Sequence, residues 1–275
     1  MSSISKIKIA LIGAGRMGGA LLSGWLDQGA QPGNIHVSDP ALAKRVSETL
    51  AGRGVHVNLP IEAICRAAPE IVVLAIKPQM MAEVLPTLRP LADCRPVFLS
   101  IAAGTSVDTI AGQLAADVAI VRAMPNTPAA VHRGISAAYG GPGVAAHQRD
   151  LCQSLLGAVG DCVWVEDEGL MAAVTALSGS GPAYVFHLVE AMAAAGEKLG
   201  LPEDIAMRLA RATVSGAGEM LHAMPDSAED LRVAVTSPGG TTAAALAVLK
   251  DSGALAALML KAMQAAEKRA RELGS

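Results

Sequence analysis

"IALIGAGRMGGA", Ile9 to Ala20, carries an apolar run through a glycine-rich bend into a helical stretch, and its reading decides the fold. Gly13, Gly15 and Gly18 stand at G-x-G-x-x-G spacing. The first glycine of such a bend allows a tight turn, the second lets a pyrophosphate approach the backbone, and the third lets helix and strand pack closely. The helix that opens here offers free N–H groups and a partial positive charge to an anion. Taken alone, three glycines describe an ordinary turn. Asp39 adds weight, because it lies 21 residues beyond Gly18 and ends the next strand-like run, "IHVS". Strand, glycine turn, helix and acidic residue together are the fingerprint of a dinucleotide site.

Outward from this stretch, short β-branched runs recur at 7–12, 35–38, 55–57, 71–76, 97–101 and 120–123. Helical spacing occupies the segments between them, such as 17–28, 41–51 and 80–88. Alternation at this pace predicts a parallel sheet covered on both faces. Two more strands are expected at 135–139 and 162–165, around a helix near 145–158. Beyond Glu168 the strand pattern ends, and 182–199, 202–221, 241–250 and 254–273 read as helices, several with proline in the first turn. The expected fold is therefore α/β, with a Rossmann-type dinucleotide-binding domain over 1–167 and an all-α substrate and dimerisation domain over 168–275. Gly216 and Gly218 weaken an isolated helix but suit one against which another helix backbone packs.

Composition excludes several other classes. The 275 residues carry a net charge of −3, so no basic face invites nucleic acid. Trp, Tyr and Phe occur only twice each, against 12 Met, which suits extensive helix-on-helix burial between chains. The four cysteines show neither C-x-x-C pairing nor histidines at metal spacing, so no metal is expected and they read as small buried thiols in a reducing cytoplasm. The first residues enter a strand without a leader pattern, and charges or glycines interrupt each apolar run before membrane-spanning length.

The chemistry is expected at the carboxyl ends of the strands, where open α/β sheets bind ligands. "LAIKPQ" ends the fourth run, "LSIAAGTS" the fifth and "RAMPNTPA" the sixth. In the helical half, "LSGSGPAY" precedes one long helix and "VTSPGGTTAAAL", Val235 to Leu246, precedes another. The second is richer than a turn requires. Pro238 and one glycine would make the turn and one of Thr241 or Thr242 would cap the helix, whereas two glycines and several hydroxyls also describe a cradle for an anion. Asp39 itself has a plain reading as a helix cap in "SDPALAKR", beside its role as a ribose acceptor that repels a 2′-phosphate; this leans slightly toward NADH, since Lys44 and Arg45 lie close enough in sequence to hold such a phosphate.

In this order and spacing, GAGRMGGA, AIKPQ, IAAGTS, RAMPNTPA, LSGSGPAY and VTSPGGTTAAAL resemble the Δ1-pyrroline-5-carboxylate reductases, over nearly the whole chain. The resemblance implies reduction of the cyclic imine to L-proline with NADPH or NADH, the last step of proline biosynthesis. It also implies a homodimer formed through the helical domain, built in some members into larger rings. Carried over by motif, Ile12, Gly13, Ala14, Gly15, Arg16, Met17 and Asp39 would lie along the cofactor, together with Ala75, Ile76, Lys77, Pro78, Ala102, Ala103, Gly104 and Asn126. Ser178, Gly179, Ser237, Gly239, Gly240, Thr241 and Thr242 would meet the substrate, with Thr242 and Ser237 as the catalytic candidates. Two departures stand out. Asp39 occupies a position where NADPH-selective relatives often have Ser or Asn, and Ala234 one where some carry a polar substrate contact.

Other readings stay open on the residues. A β-hydroxyacid dehydrogenase shares the layout but needs a lysine and an asparagine one turn apart early in the helical domain, and "AYVFHLVEAM" offers neither. A reductase of another cyclic imine acid would use the same motifs. A non-catalytic dinucleotide sensor would keep the glycine turn without needing a second anion cradle.

Overall fold

The computed structural model describes residues 4–114 and 117–274. Eight strands form one sheet: β1 (Ile9–Ile12), β2 (Ile35–Ser38), β3 (His56–Val57), β4 (Ile71–Leu74), β5 (Val97–Ser100), β6 (Ala119–Met124), β7 (Gly134–Gly140) and β8 (Gly160–Val165). Their order is β3-β2-β1-β4-β5-β6-β7-β8. The first six follow the doubly wound order, in which the direction of winding reverses between β1 and β4. All pairs are parallel except β6 with β7, where Arg122 faces Tyr139. The parallel sheet expected of the first six runs is present, and β7 alone departs from it: the short helical turn after β6 leaves no room for a right-handed crossover, so β7 returns antiparallel.

Helices flank the sheet: α1 (Arg16–Asp27), α2 (Lys44–Gly52), α3 (Ile61–Ala67), α4 (Met81–Val84), α5 (Arg89–Ala92), α6 (Val107–Leu114) and α7 (Ala146–Gly157). The helix expected over 80–88 is instead a chain of short turns, because Pro86 and Pro90 cannot donate the bonds a continuous helix needs. Alternation along the strands fills two cores. Ile9, Leu11, Ile71, Val73, Val97 and Leu99 face Leu21, Trp25 and Leu155 on one side. Ala10, Ile12, Val72, Leu74 and Phe98 face Ile64, Leu85 and Ile110 on the other. Burial on both faces explains why β1, β4 and β5 read as continuous apolar runs. Trp25 is fully buried and satisfies its indole N–H on the Leu155 carbonyl at 2.9 Å.

The remaining helices are α8 (Met171–Val174), α9 (Gly181–Lys198), α10 (Glu203–Ala223), α11 (Ala228–Ala234), α12 (Thr241–Lys250) and α13 (Ala254–Glu272). Two compact units result: residues 4–179 with 266–274, and residues 180–265. The end of α13 therefore belongs to the sheet-bearing unit. The helical unit buries little of its own apolar surface. Within α9 and α10 only Ala193, Ala206 and Ala210 are buried, while Phe186 is 63% and Leu209 53% exposed. Among the described residues, and apart from the backbone of its own helix, nothing lies within 4 Å of where a Cβ at Gly216 or Gly218 would stand. The stretch Thr241–Glu272 also has the length and mean hydropathy of a membrane-crossing helix, with none of it buried. This corrects the expectation that no segment reaches that length, although a non-helical Ser252 breaks it between α12 and α13.

Candidate functional site

The glycine turn follows from the residues it contains. Gly13 adopts φ +89°, and a Cβ there would stand 2.7 Å from the Ala75 carbonyl oxygen. A Cβ at Gly18 would run into the Gly13 carbonyl. Either substitution would push the first turn away from the strand ends. Gly15 differs: a Cβ would meet nothing within 4 Å, so the space beside the N-terminus of α1 is open. Gly15 is the N-cap and no side chain caps the helix. The first-turn N–H groups and the open space fit one phosphate pair of a dinucleotide, the group the turn would hold.

Asp39 is fixed beside this turn. Its Oδ2 accepts from the Ala14 N–H at 2.8 Å and its Oδ1 from the Ala41 N–H at 2.9 Å. Asn58, in the left-handed conformation at φ 51°, holds the Asp39 backbone from the next strand end. Its Oδ1 accepts the Asp39 N–H at 2.7 Å and its Nδ2 donates to the Asp39 carbonyl at 3.0 Å. Asp39 does not cap α2, whose N-cap is Ala43. The carboxylate thus lies at the glycine turn, where a ribose would meet it.

The other strand ends converge on the same edge. The Ala75 N–H donates to the Ile12 carbonyl at 2.8 Å and the Ile101 N–H to the Leu74 carbonyl at 3.1 Å, so the Ile12–Met17, Ala75–Pro78 and Ala102–Gly104 segments lie side by side. Lys77 is exposed at this edge. Asn126 is buried and its amide serves the fold: Oδ1 accepts the Ile135 N–H at 2.9 Å, and Nδ2 donates to the Ser178 carbonyl at 3.2 Å. Ser178 and Gly179 end a turn of π-helix (residues 175–179), a distortion frequent at functional sites. A Cβ at Gly179 would come within 2.6 Å of the Met124 side chain. Neither Asn58 nor Glu168, which ties Arg122 to the start of α6, stands out in the sequence, because each acts through the backbone of a distant segment.

In the helical unit, Ser237 to Gly240 form a turn with Pro238 second, Gly239 third at φ +69°, and the Gly240 N–H donating to the Ser237 carbonyl at 3.0 Å. That is the type II turn this Pro-Gly pair favours. The N-cap of α12 is Gly240, and no side chain caps it. The expected hydroxyl cap from Thr241 or Thr242 is thus corrected, since both lie inside the helix, past the cap position. The first N–H groups of α12 keep their outward capacity, with Thr242 half-buried beside them. Among the described residues no three His, Cys, Asp or Glu side chains are grouped to hold a metal. A cleft of about 630 Å³ near Arg95, Asp117 and Gln148 lies at the opposite edge of the sheet, away from the strand ends that carry the glycine turn.

Family models match two stretches: pyrroline-5-carboxylate reductase dimerisation over residues 168–273, and NADP oxidoreductase, coenzyme F420-dependent, over residues 8–104. The chain is 40% identical to a pyrroline-5-carboxylate reductase of Pseudomonas aeruginosa over 98% of both chains. It is 41% identical to one of Haemophilus influenzae over 96% of this chain and 97% of that one. Among solved structures it resembles a pyrroline-5-carboxylate reductase of Coxiella burnetii, with TM-score 0.90 at 36% identity over 98% of this chain and 99% of the other. It also resembles that of Plasmodium falciparum, solved with NADP bound, with TM-score 0.81 at 26% identity, over 98% and 99%. With both motif-bearing regions covered at this identity, the chain belongs to the pyrroline-5-carboxylate reductase family of NAD(P)H-dependent oxidoreductases.

Proposed function

We propose that the chain reduces Δ1-pyrroline-5-carboxylate to L-proline in the cytoplasm, with the glycine turn holding the cofactor and the Ser237–Thr242 turn holding the substrate. The uncapped N-terminus of α12 carries the assignment of the substrate turn. A carboxylate suits backbone N–H groups at a helix N-terminus behind a glycine turn. When bound, reduced nicotinamide supplies the hydride. The hydride adds to the imine carbon of the protonated C=N, the π pair becomes the nitrogen lone pair, and the product is a secondary amine. Water protonates that amine to the ammonium form of proline.

Thr242 is assigned as the partner of the ring nitrogen because it is half-buried and its hydroxyl belongs to the first turn of α12, and Ser237 begins the turn before it. A threonine hydroxyl is a weak acid, so its task is to orient an iminium already protonated, or to relay a proton from water. Ser178 and Gly179 supply a second backbone edge to the substrate. Most of the rate then comes from holding donor and acceptor carbons in contact.

Either NADPH or NADH serves as cofactor, and Asp39 inclines the site toward NADH because its charge repels a 2′-phosphate. The functional boundary falls between 167 and 168. The exposed apolar faces of α9 to α13 and the open sides of Gly216 and Gly218 support a homodimer through this region rather than a membrane span. Dimerisation would let the substrate turn of one protomer serve the cofactor of the other, and dimers could build a ring. The test is oxidation of NADH and NADPH by the purified protein against five- and six-membered cyclic imine acids. Turnover of the five-membered substrate alone is expected. Preference for a six-membered ring would reassign the substrate, and cofactor binding without turnover would make the protein a sensor.

A further inference from the structure

The loop 101–106, between β5 and α6, contains Ala102, Ala103 and Gly104, which the proposed function places along the cofactor. Ala102 and Thr105 are buried and anchor the loop on its inner side, whereas Ala103 and Gly104 offer little side chain, so the outer part is fixed by other segments. At its entrance, Ser100 pairs with Arg122 of β6. The Arg122 guanidinium donates to Glu168 Oε1 at 2.9 Å. The same oxygen accepts the Val107 N–H at 2.9 Å, at the loop's exit. The two side chains are only 12% and 25% exposed, so solvent does little to loosen the pair.

The middle of the loop is held from elsewhere. Gly104 adopts φ +78°, and a Cβ on it would stand 2.9 Å from the Leu273 carbonyl oxygen. A Cβ on Gly274 would stand 2.5 Å from the Gly104 carbonyl oxygen and 3.3 Å from its Cα. Two backbones meet here because neither residue has a side chain. Both holds lie within the sheet-bearing unit, which the chain leaves after Gly179 and rejoins at Ala266. They come from the two ends of the stretch matched by the dimerisation family model, 168–273, and from the residue just beyond it.

We propose that Glu168 and the Leu273–Gly274 turn are positioning residues for the cofactor loop, so that dinucleotide binding and docking of the C-terminal turn strengthen each other. This rests on the assignment of the loop to the cofactor. If the turn and the cofactor both favour one loop conformation, each must raise the other's affinity by the same factor.

The experiment compares full-length wild type with Gly274→Ala, Glu168→Gln and a control, Gly33→Ala, where an added Cβ meets nothing within 4 Å. NADH and NADPH affinities are measured by fluorescence titration, and hydrogen exchange is followed at 101–106 and 273–274. Gly274→Ala and Glu168→Gln should weaken both dinucleotides by about 5-fold or more, with the imine KM at saturating cofactor unchanged. In wild type, saturating NADH should slow exchange at the Leu273–Gly274 turn. Dinucleotide affinities within about twofold of wild type in both variants would overturn the inference, whatever their thermal stability. Should Glu168→Gln fail to fold, Gly274→Ala at its exposed terminal turn decides alone. A wild type that binds neither dinucleotide would instead overturn the functional assignment beneath it.

Discussion

Replacing Asp39 by Ser is expected to move the cofactor preference of this protein toward NADPH. The carboxylate is held by two backbone N–H groups, from Ala14 in the glycine turn and Ala41 beyond the strand, so it cannot swing away from an incoming 2′-phosphate. A phosphate carries roughly −1.5 to −2 charges at neutral pH. At about 5 Å and an effective dielectric of about 40, its repulsion by one carboxylate is about 2.5 kcal/mol. Removing the carboxylate should therefore raise the NADPH-to-NADH ratio of kcat/KM by about 10- to 100-fold, the lower figure allowing for screening by salt. Serine can replace the bond to Ala41 but is too short to reach Ala14. NADH should lose about tenfold in its own right, through a looser turn and a lost ribose acceptor. The assay is steady-state NADH and NADPH oxidation at two salt concentrations, and the gain with NADPH should shrink as salt rises. A ratio that stays put would mean that Asp39 only braces the glycine turn, and the inclination toward NADH would go with it.

Thr242→Ala should lower turnover about 10- to 1000-fold while leaving dinucleotide affinity in place, and full activity would remove Thr242 from the reaction. Refolding Thr242→Ala with Gly15→Trp in equal amounts should restore about 25% of wild-type activity if each site draws on two protomers, and none if it does not. Gly24→Ala places a methyl group against Val159 in the packed face of α1, and urea unfolding should show a loss of about 1–3 kcal/mol. Burial and the neighbouring His56 hold His36 below its ordinary pKa of 6.5, so the unfolded chain binds the extra proton first and stability should fall as the pH drops below that value. Burial pushes the Cys162 thiol up to about 12 and raises Cys152 as well, so the unfolded thiols ionise first and unfolding midpoints should decline above about pH 9.

Much of this was legible in the residues, for reasons the structure makes plain. Strands buried on both faces leave apolar runs, and the six strands of the parallel part were readable from their β-branched content, with β7 and β8 visible as further strand candidates. The glycine turn announces itself because a Cβ at Gly13 or Gly18 would strike backbone. The short helices α3 and α6 escaped notice, since seven or eight residues make too little periodicity to separate helix from loop. The return of β7 was hidden because pairing direction depends on connection geometry and leaves no mark on composition. At the site, the motif-bearing loops were visible, whereas the clasp of Asn58 on Asp39 was not. It spans 19 residues through main-chain atoms that every residue possesses.

The discontinuity of the sheet-bearing unit bears on how the protein is made. Residues 266–274 complete a body whose other members are all translated earlier, with the whole helical stretch in between. Strands β1 to β8 can pair before residues 266–274 are translated, and Gly104 meets its partner only after some 170 further residues have emerged. Contacts of such long sequence separation form late. Until those residues arrive, the growing chain carries a paired sheet whose 101–106 loop is unfinished.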